Sequence, residues 1–321
     1  MDSRIKIPNL ELTILGWDPE DPEIVNATVL DGGGEDVIIM GPTPLSSDAT
    51  ISGITITGGG RGIFCSETSA SIRHCVIKGN TDSGLYCYDA SPSVTNCIIS
   101  ENTATRHGGG GVYCISQPSP IFANCTITEN FVPGDGGGLF VSGSASMQNC
   151  IVSRNTASEL GGGLYCYFGN TALMNCTITE NRASEAGGGL YNRRGAPILT
   201  NCIFWGDFPR EFDVEEDSLS VTYSDIQGGW AGEGNISRDP ALVEWLGFES
   251  MPNPIDRWIG DTFTPRSSCI DAGDPSITDG ISDSHPNWPN WYPNGTRSDM
   301  GAYGGPGNGG WLGGQFLSRQ P

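Results

Sequence analysis

Positive charge is scarce in this chain. Of 321 residues only 16 are Lys or Arg, against 37 Asp or Glu, and the formal net charge is -21. A surface of that sign repels phosphate backbones, which argues against a nucleic-acid partner, while remaining compatible with divalent cations. No apolar run reaches the ~20 residues that a membrane helix requires, so no transmembrane segment is expected. The opening residues, MDSRIKIPNLELTILG, contain no apolar stretch of the signal-peptide kind. Nowhere does the apolar pattern take the 3.6-residue period of an amphipathic helix. Cys-x-x-Cys and Cys/His pairs are missing too, which excludes the usual zinc sites. Glycine is plentiful at 47 residues but has no Gly-X-Y period, so a collagen helix is ruled out.

What the chain does contain is repetition. NCTITEN occurs at Asn124 and again at Asn175, with the related NCIISEN at Asn96 and NCIVSRN at Asn149. Aligning on the residue before the recurrent cysteine gives Asn26, Gly53, His74, Asn96, Asn124, Asn149, Asn175 and Asn201, at spacings of 21 to 28 residues. A period of that length marks a solenoid. Asn and Gly at the register position suit a left-handed backbone at a sharp bend. Two residues before the bend stand Ile24, Ile51, Ile72, Val94, Phe122, Met147, Leu173 and Leu199. Three residues after it stand Val29, Ile56, Ile77, Ile99, Ile127, Val152, Ile178 and Phe204. Mostly hydroxyl or β-branched residues lie between, so the pattern alternates with period two, the signature of strands with one face inside.

Six residues after the bend, Asn80, Asn102, Asn130, Asn155, Asn181 and then Asp207 form a second column. Stacked asparagines can hydrogen-bond from coil to coil and satisfy buried turns. A Gly-rich turn then leads into a third strand, read as GIFC, GLYC, GVYC, GLFV, GLYC and GLYN. With no helix to cross over, such strands must stack coil on coil. About nine coils at ~4.8 Å each make a rod roughly 40 Å long.

These runs, SPSVTNCIISENTA and GGGLYC in particular, resemble the secreted bacterial β-helix-repeat proteins. So do the C-terminal runs VTYSDIQGGW, GNISRDPALV, SSCIDAGDP and SDMGAYGG. The resemblance spans about Asn26 to Gly305. It implies an all-β, right-handed single-stranded parallel β-helix of the pectin-lyase-like architecture, and an extracellular or cell-surface location. The expected organisation is a rod over residues 1–230. Residues 231–321 are then an irregular Trp-, Gly- and Pro-rich cap or docking segment packed on the rod, and FWGDFPREFDVEEDS is an acidic excursion before the last coil.

Function is less legible. The eleven cysteines are odd in number and periodic in placement. Six (Cys75, Cys97, Cys125, Cys150, Cys176, Cys202) and four more (Cys65, Cys87, Cys114, Cys166) fall into inward columns, so they read as core residues rather than as a disulfide framework. Cys269 lies outside both columns. Alternation in the GLYC strands turns Phe64, Tyr86, Tyr113, Phe140, Tyr165 and Tyr191 outward as an aromatic row, a face for sugar rings, for a partner, or for packing under loops. The resemblance implies calcium-binding acids and a Lys or Arg base in a lyase, or clustered Asp in a polygalacturonase. Two residues past each outward aromatic stand Ser66, Tyr88, Ile115, Ser142, Tyr167 and Arg193, with no acid among them. Arg193, Arg194 and Arg182 are the nearest approach to a basic cluster, so no catalytic residue is assigned. Asp271, Asp274, Asp279 and Asp283 lie in a turn-rich segment whose hard oxygens would suit calcium, or simply cap turns. Trp230, Trp245, Trp258, Trp288, Trp291 and Trp311 crowd the C-terminal part and would cap the rod, stack on sugars or dock a subunit. Asn-x-Ser/Thr sequons occur at Asn26, Asn124, Asn175, Asn235 and Asn294.

A β-helix exposes unpaired backbone at its ends. The first apolar strand leaves no room for a preceding helix, which suggests head-to-tail self-assembly through Leu10, Leu12 and Ile14 against Trp311, Phe316 and Leu317. The reading that follows is a non-catalytic extracellular structural β-solenoid able to join head to tail into filaments. The alternative is a carbohydrate-binding or polysaccharide-degrading protein.

Overall fold

A computed structural model describes residues 5–7, 13–41, 49–105, 108–116, 118–215, 218–240, 242–244, 252–254, 269, 272–277 and 300. Three parallel sheets of nine strands each run the length of a solenoid. The first sheet runs from Ile5–Ile7 to Phe212–Glu215, the second from Thr13–Leu15 to Ser220–Thr222, and the third from Val29–Asp31 to Asp225–Ile226. Every pairing within these sheets joins one coil to the next in register, for instance Leu85 with Val112 and Cys87 with Cys114. A short fourth sheet of Phe131–Val132, Thr156–Ala157 and Arg182–Ala183 lies in the loops after the third.

The bend between the second and third sheets is left-handed throughout, with φ from 49° to 72° at Gly53, His74, Asn96, Asn124, Asn149, Asn175 and Asn201. Seven of the nine levels therefore turn at the expected residue. At the last level Tyr223 takes the bend. At the first level the expected register is wrong. Asn26 is no bend, because residues Pro22–Ala27 form a short helix: Asp21 caps its N-terminus by accepting from the Glu23 amide at 2.9 Å, and Pro22 opens the first turn. The inward positions there are therefore Ile14, paired with Ile51, and Leu30, paired with Ile56. Ile24 lies in the helix, and Val29 is 49% exposed.

The tube interior is one continuous hydrophobic core from Val37 to Ile226, filled by the alternating residues of all three sheets. Burial of these apolar side chains is the dominant favourable term. None of the eleven cysteines is in a disulfide, and all are buried. In the six-residue column each thiol also points at the backbone carbonyl two residues earlier, as with Cys97 Sγ to Thr95 O at 3.2 Å and Cys150 Sγ to Gln148 O at 3.2 Å. Cysteine thus supplies a small apolar body together with a weak second donor to a carbonyl that already accepts the bend N–H of the preceding coil, as Thr95 O does from His74. Ser224 continues the column at the last coil and does the same with its hydroxyl, at 2.9 Å from Thr222 O.

The asparagine column forms the expected ladder. Each side-chain amide donates to the next residue's Oδ1, at 2.9 Å for Asn80 to Asn102, 3.0 Å for Asn102 to Asn130, and 2.9 Å for Asn130 to Asn155, Asn155 to Asn181 and Asn181 to Asp207. The same Oδ1 also accepts the backbone N–H of the preceding ladder residue. Glycine opposes each member because the space is taken. A Cβ on Gly62, Gly84, Gly111, Gly138 or Gly163 would come within 2.7–3.1 Å of the ladder amide nitrogen. The last stretch also departs from expectation: FWGDFPREFDVEEDS is no excursion. It holds the last two residues of the third-sheet strand Ile203–Trp205 at its start, the ladder residue Asp207, and the ninth strand of the first sheet, Phe212–Glu215.

Candidate functional site

The outer face of the first sheet carries the aromatic row. Strand register sets Phe64, Tyr86, Tyr113, Phe140, Tyr165 and Tyr191 directly beside one another. Ring centroids are 5.3, 5.0, 5.2, 4.8 and 5.2 Å apart along the row. The first three contacts are edge-to-face and the last two stacked. Such pairs contribute roughly 0.5–1.5 kcal/mol each beyond area burial. Rings that meet one another leave few open faces for a sugar. Tyr165 and Tyr191 are only 3% exposed, and the other four are half-buried. Along most of its length, then, the row is a packing device.

Its two ends are different. At the N-terminal end the Arg61 guanidinium lies 3.8 Å from the Phe64 ring centroid and is held by Asp36, with Nε to Oδ1 at 3.0 Å. At the C-terminal end the ninth strand places Asp213 beside Tyr191 and Glu215 beside Arg193. The Tyr191 hydroxyl donates to Glu215 Oε1 at 2.5 Å, while Arg193 Nε reaches Oε2 at 3.2 Å. Burial first, and then the Glu215 carboxylate, push the Tyr191 phenol well above its ordinary range, so it stays a donor. Burial likewise raises Tyr165, with Arg193 opposing.

Beside this network, Arg193 pairs in register with Tyr167, whose ring centroid is 4.3 Å from that of Phe168. Phe168 is 42% exposed, and the Arg194 guanidinium lies 5.4 Å from its ring centroid. One corner of the rod therefore presents an open aromatic ring, two guanidinium groups and a carboxylate whose two oxygens are each fixed by a different donor.

The sequence reading brought Arg193 and Arg194 forward but missed Glu215 and Asp213. Their signal was present: in FDVE, Phe212 and Val214 repeat the inward positions of Leu190 and Asn192, so Asp213 and Glu215 extend the outward rows by one strand. Arg182 belongs elsewhere, 5.8 Å from the Phe208 ring centroid. Of the acids considered for calcium, Asp274 Oδ1 accepts from the Ser276 backbone and hydroxyl at 2.8 and 2.7 Å, a turn contact. Asp271, Asp279 and Asp283 lie outside the described residues. Among the described residues no group of three or more His, Cys, Asp or Glu is placed to hold a metal ion.

Of the residues considered for self-assembly, Ile14 packs against the core of its own chain. Leu10, Leu12, Trp311, Phe316 and Leu317 lie outside the described residues, as do Trp245, Trp258, Trp288 and Trp291. Cys269, Ala272 and Met300 pack with Ile203 and Trp205 on the flank of the third sheet, and Cys269 Sγ donates to Asp225 Oδ2 at 3.3 Å. The sequon residue Asn175 is fully buried, so a glycan has no access there. No helix among the described residues is long and apolar enough to cross a membrane.

No curated protein sequence matches the chain. Among solved structures, pectate lyase Pel9A has a TM-score of 0.53 over 94% of this chain and 86% of that one, at 16% identity. At that identity the likeness is one of fold. Residues 43–204, half of the chain, match the family described as "Right handed beta helix region". With three parallel sheets closing one core and a pectate lyase superposing on nearly its whole length, the chain belongs to the right-handed β-helix family.

Proposed function

We propose that this β-helix binds polysaccharide at the C-terminal corner of its first sheet and works outside the cell, where such chains are met. The observation that carries the reading is the Tyr191–Glu215–Arg193 network beside the open Phe168 ring. Sugar sites combine an aromatic face for C–H groups with fixed polar groups for hydroxyls. Glu215 offers acceptors, and Arg193 and Arg194 offer donors. A net charge of -21 opposes a polyuronate chain, so neutral glycans are the first candidates.

The test is calorimetric titration with a panel of soluble neutral and uronate polysaccharides, alongside an assay for new reducing ends and unsaturated products. Saturable binding is expected. Phe168→Ala should weaken it about tenfold, on the order of 1.4 kcal/mol. Failure of the whole panel to bind, or a Phe168→Ala variant that binds as well as the parent, removes the reading.

A second reading, a non-catalytic structural rod that joins end to end, draws on the self-contacting part of the ring row, which serves packing rather than recognition. Electron microscopy across a concentration series separates the two. Long rods with a one-subunit repeat favour this reading, and dispersed short rods sink it.

A further inference from the structure

The asparagine ladder ends in two acids, and its geometry specifies where a proton must be. In the ladder interior, each Nδ2 donates to the Oδ1 of the next member, and that Oδ1 also accepts the previous backbone N–H. Asp207 takes the acceptor half of this role: its Oδ1 receives the Asn181 N–H at 2.7 Å and Nδ2 at 2.9 Å. The donor half falls to Asp207 Oδ2, which occupies the place of an amide nitrogen. The next member is not an asparagine. Glu211 comes just before Phe212, the partner of Leu190, so it sits level with Gly189 in the glycine row, and its side chain turns back to Asp207. Glu211 Oε1 accepts the Asp207 N–H at 3.3 Å, as each ladder Oδ1 does for the residue before it. Asp207 Oδ2 and Glu211 Oε2 are both buried and without a hydrogen-bond partner. Two ionised carboxylates would place acceptor against acceptor in a site closed to water, which is strongly unfavourable.

We propose that Asp207 is a neutral carboxylic acid whose Oδ2–H donates to Glu211, completing the ladder in place of an asparagine amide and locking the strand Phe212–Glu215 onto the rod. The proton makes that strand pH-sensitive, and Asp213 and Glu215 ride on it. Asn181, Gly189 and Phe204 close the site and do not titrate. Arg182 and Arg210 are exposed, Arg182 facing Phe208 and Arg210 pairing with Asp213. Burial, and then the Glu211 carboxylate, hold Asp207 well above the ordinary carboxylate range, and burial raises Glu211 as well. A raised acid favours the protonated folded state. Its stabilisation is complete below the unfolded value of about 4 and is lost as pH climbs toward the folded one.

Asp207→Asn supplies the missing donor without a proton, and the double variant with Glu211→Gln removes both titrations. The melting temperature of Asp207→Asn minus that of the parent should rise steadily from pH 5 to pH 9. Difference infrared spectra of the parent at pH 7 should show a protonated-carboxyl band that Asp207→Asn lacks. A melting-temperature difference that is flat with pH, or a missing band, overturns the proposal. So does calcium raising the melting temperature of the parent but not of Asp207→Asn, since a cation would then occupy the proton's place. Loss of glycan affinity at high pH rests on the proposed function. If no glycan binds at any pH, the thermal and infrared results still decide the proton.

Discussion

Replacing Asn155 by alanine tests the ladder at its centre. The Asn155 side chain makes four hydrogen bonds. It accepts the Asn130 N–H at 3.0 Å and Nδ2 at 2.9 Å, and it donates to Ile127 O and Asn181 Oδ1, both at 2.9 Å. Three of its partners keep another bond or have a second lone pair; Asn130 Nδ2, for example, still reaches Ile99 O. The Asn130 N–H keeps none and is buried. An orphaned buried donor costs about 1–3 kcal/mol, and each of the other three lost bonds about 1 kcal/mol. The expected loss is therefore about 4–6 kcal/mol, a large share of the ~5–15 kcal/mol that holds a domain folded. Urea unfolding followed by circular dichroism measures it, with hydrogen exchange at the Asn130 amide as a local check. A loss under about 1 kcal/mol with unchanged exchange would refute the reasoning, because the ladder would then be ornament on a core held by burial alone. Asn155→Asp sharpens the point. It needs a neutral acid in mid-ladder, so it should be less damaging at pH 4 than at pH 8, with the stabilising proton lost as pH rises.

Two further outcomes follow from packing. Gly138→Ala would set a Cβ 2.6 Å from Gly163 O and 3.0 Å from Asn155 Nδ2, and should cost about 1–3 kcal/mol or more in denaturant. Gly41→Ala, with none of the described residues within 4 Å of the added Cβ, should be near neutral in the same experiment. A thiol reagent should label none of the eleven cysteines in the native state and all of them after unfolding. They are buried, and burial pushes Cys166, for one, up to about 11. Rapid labelling of the folded protein would contradict the inward columns.

Most of the architecture was legible because each feature is local and repeated. Asn at the bends, apolar residues two before and three after, and Asn six after recur often enough for period and facing to be read without a structure. The reading failed where the repeat is interrupted. Asp21 and Pro22 start a helix, which shifts the first register by one and turns Val29 outward. Seven of the nine levels carry the bend motif. The ninth strand of the first sheet was overlooked because FDVE shares no letters with GLYC, although it keeps the alternation.

The candidate site was half visible for the same reason. Arg193 and the tyrosine row follow from alternation. That Glu215 lies beside Arg193 and accepts from Tyr191 depends on which strand pairs with which, and the loop between them hides that in the sequence. Exposure was likewise undetermined: alternation says that six rings point outward, but only the packed coils decide that they cover one another.

By itself, then, the sequence determined an all-β solenoid, its inward and outward faces, its cysteine columns and its asparagine ladder, because these are set by spacing along the chain. Tertiary structure alone decided that the ladder stops at two buried acids, that glycine is required opposite each rung, and that one corner gathers Phe168, Arg193 and Glu215. Apart from the neighbouring pair Asp207 and Glu211, those are contacts between residues 17 or more positions apart. Register between coils brings them together, and no local pattern encodes that register once the repeat breaks.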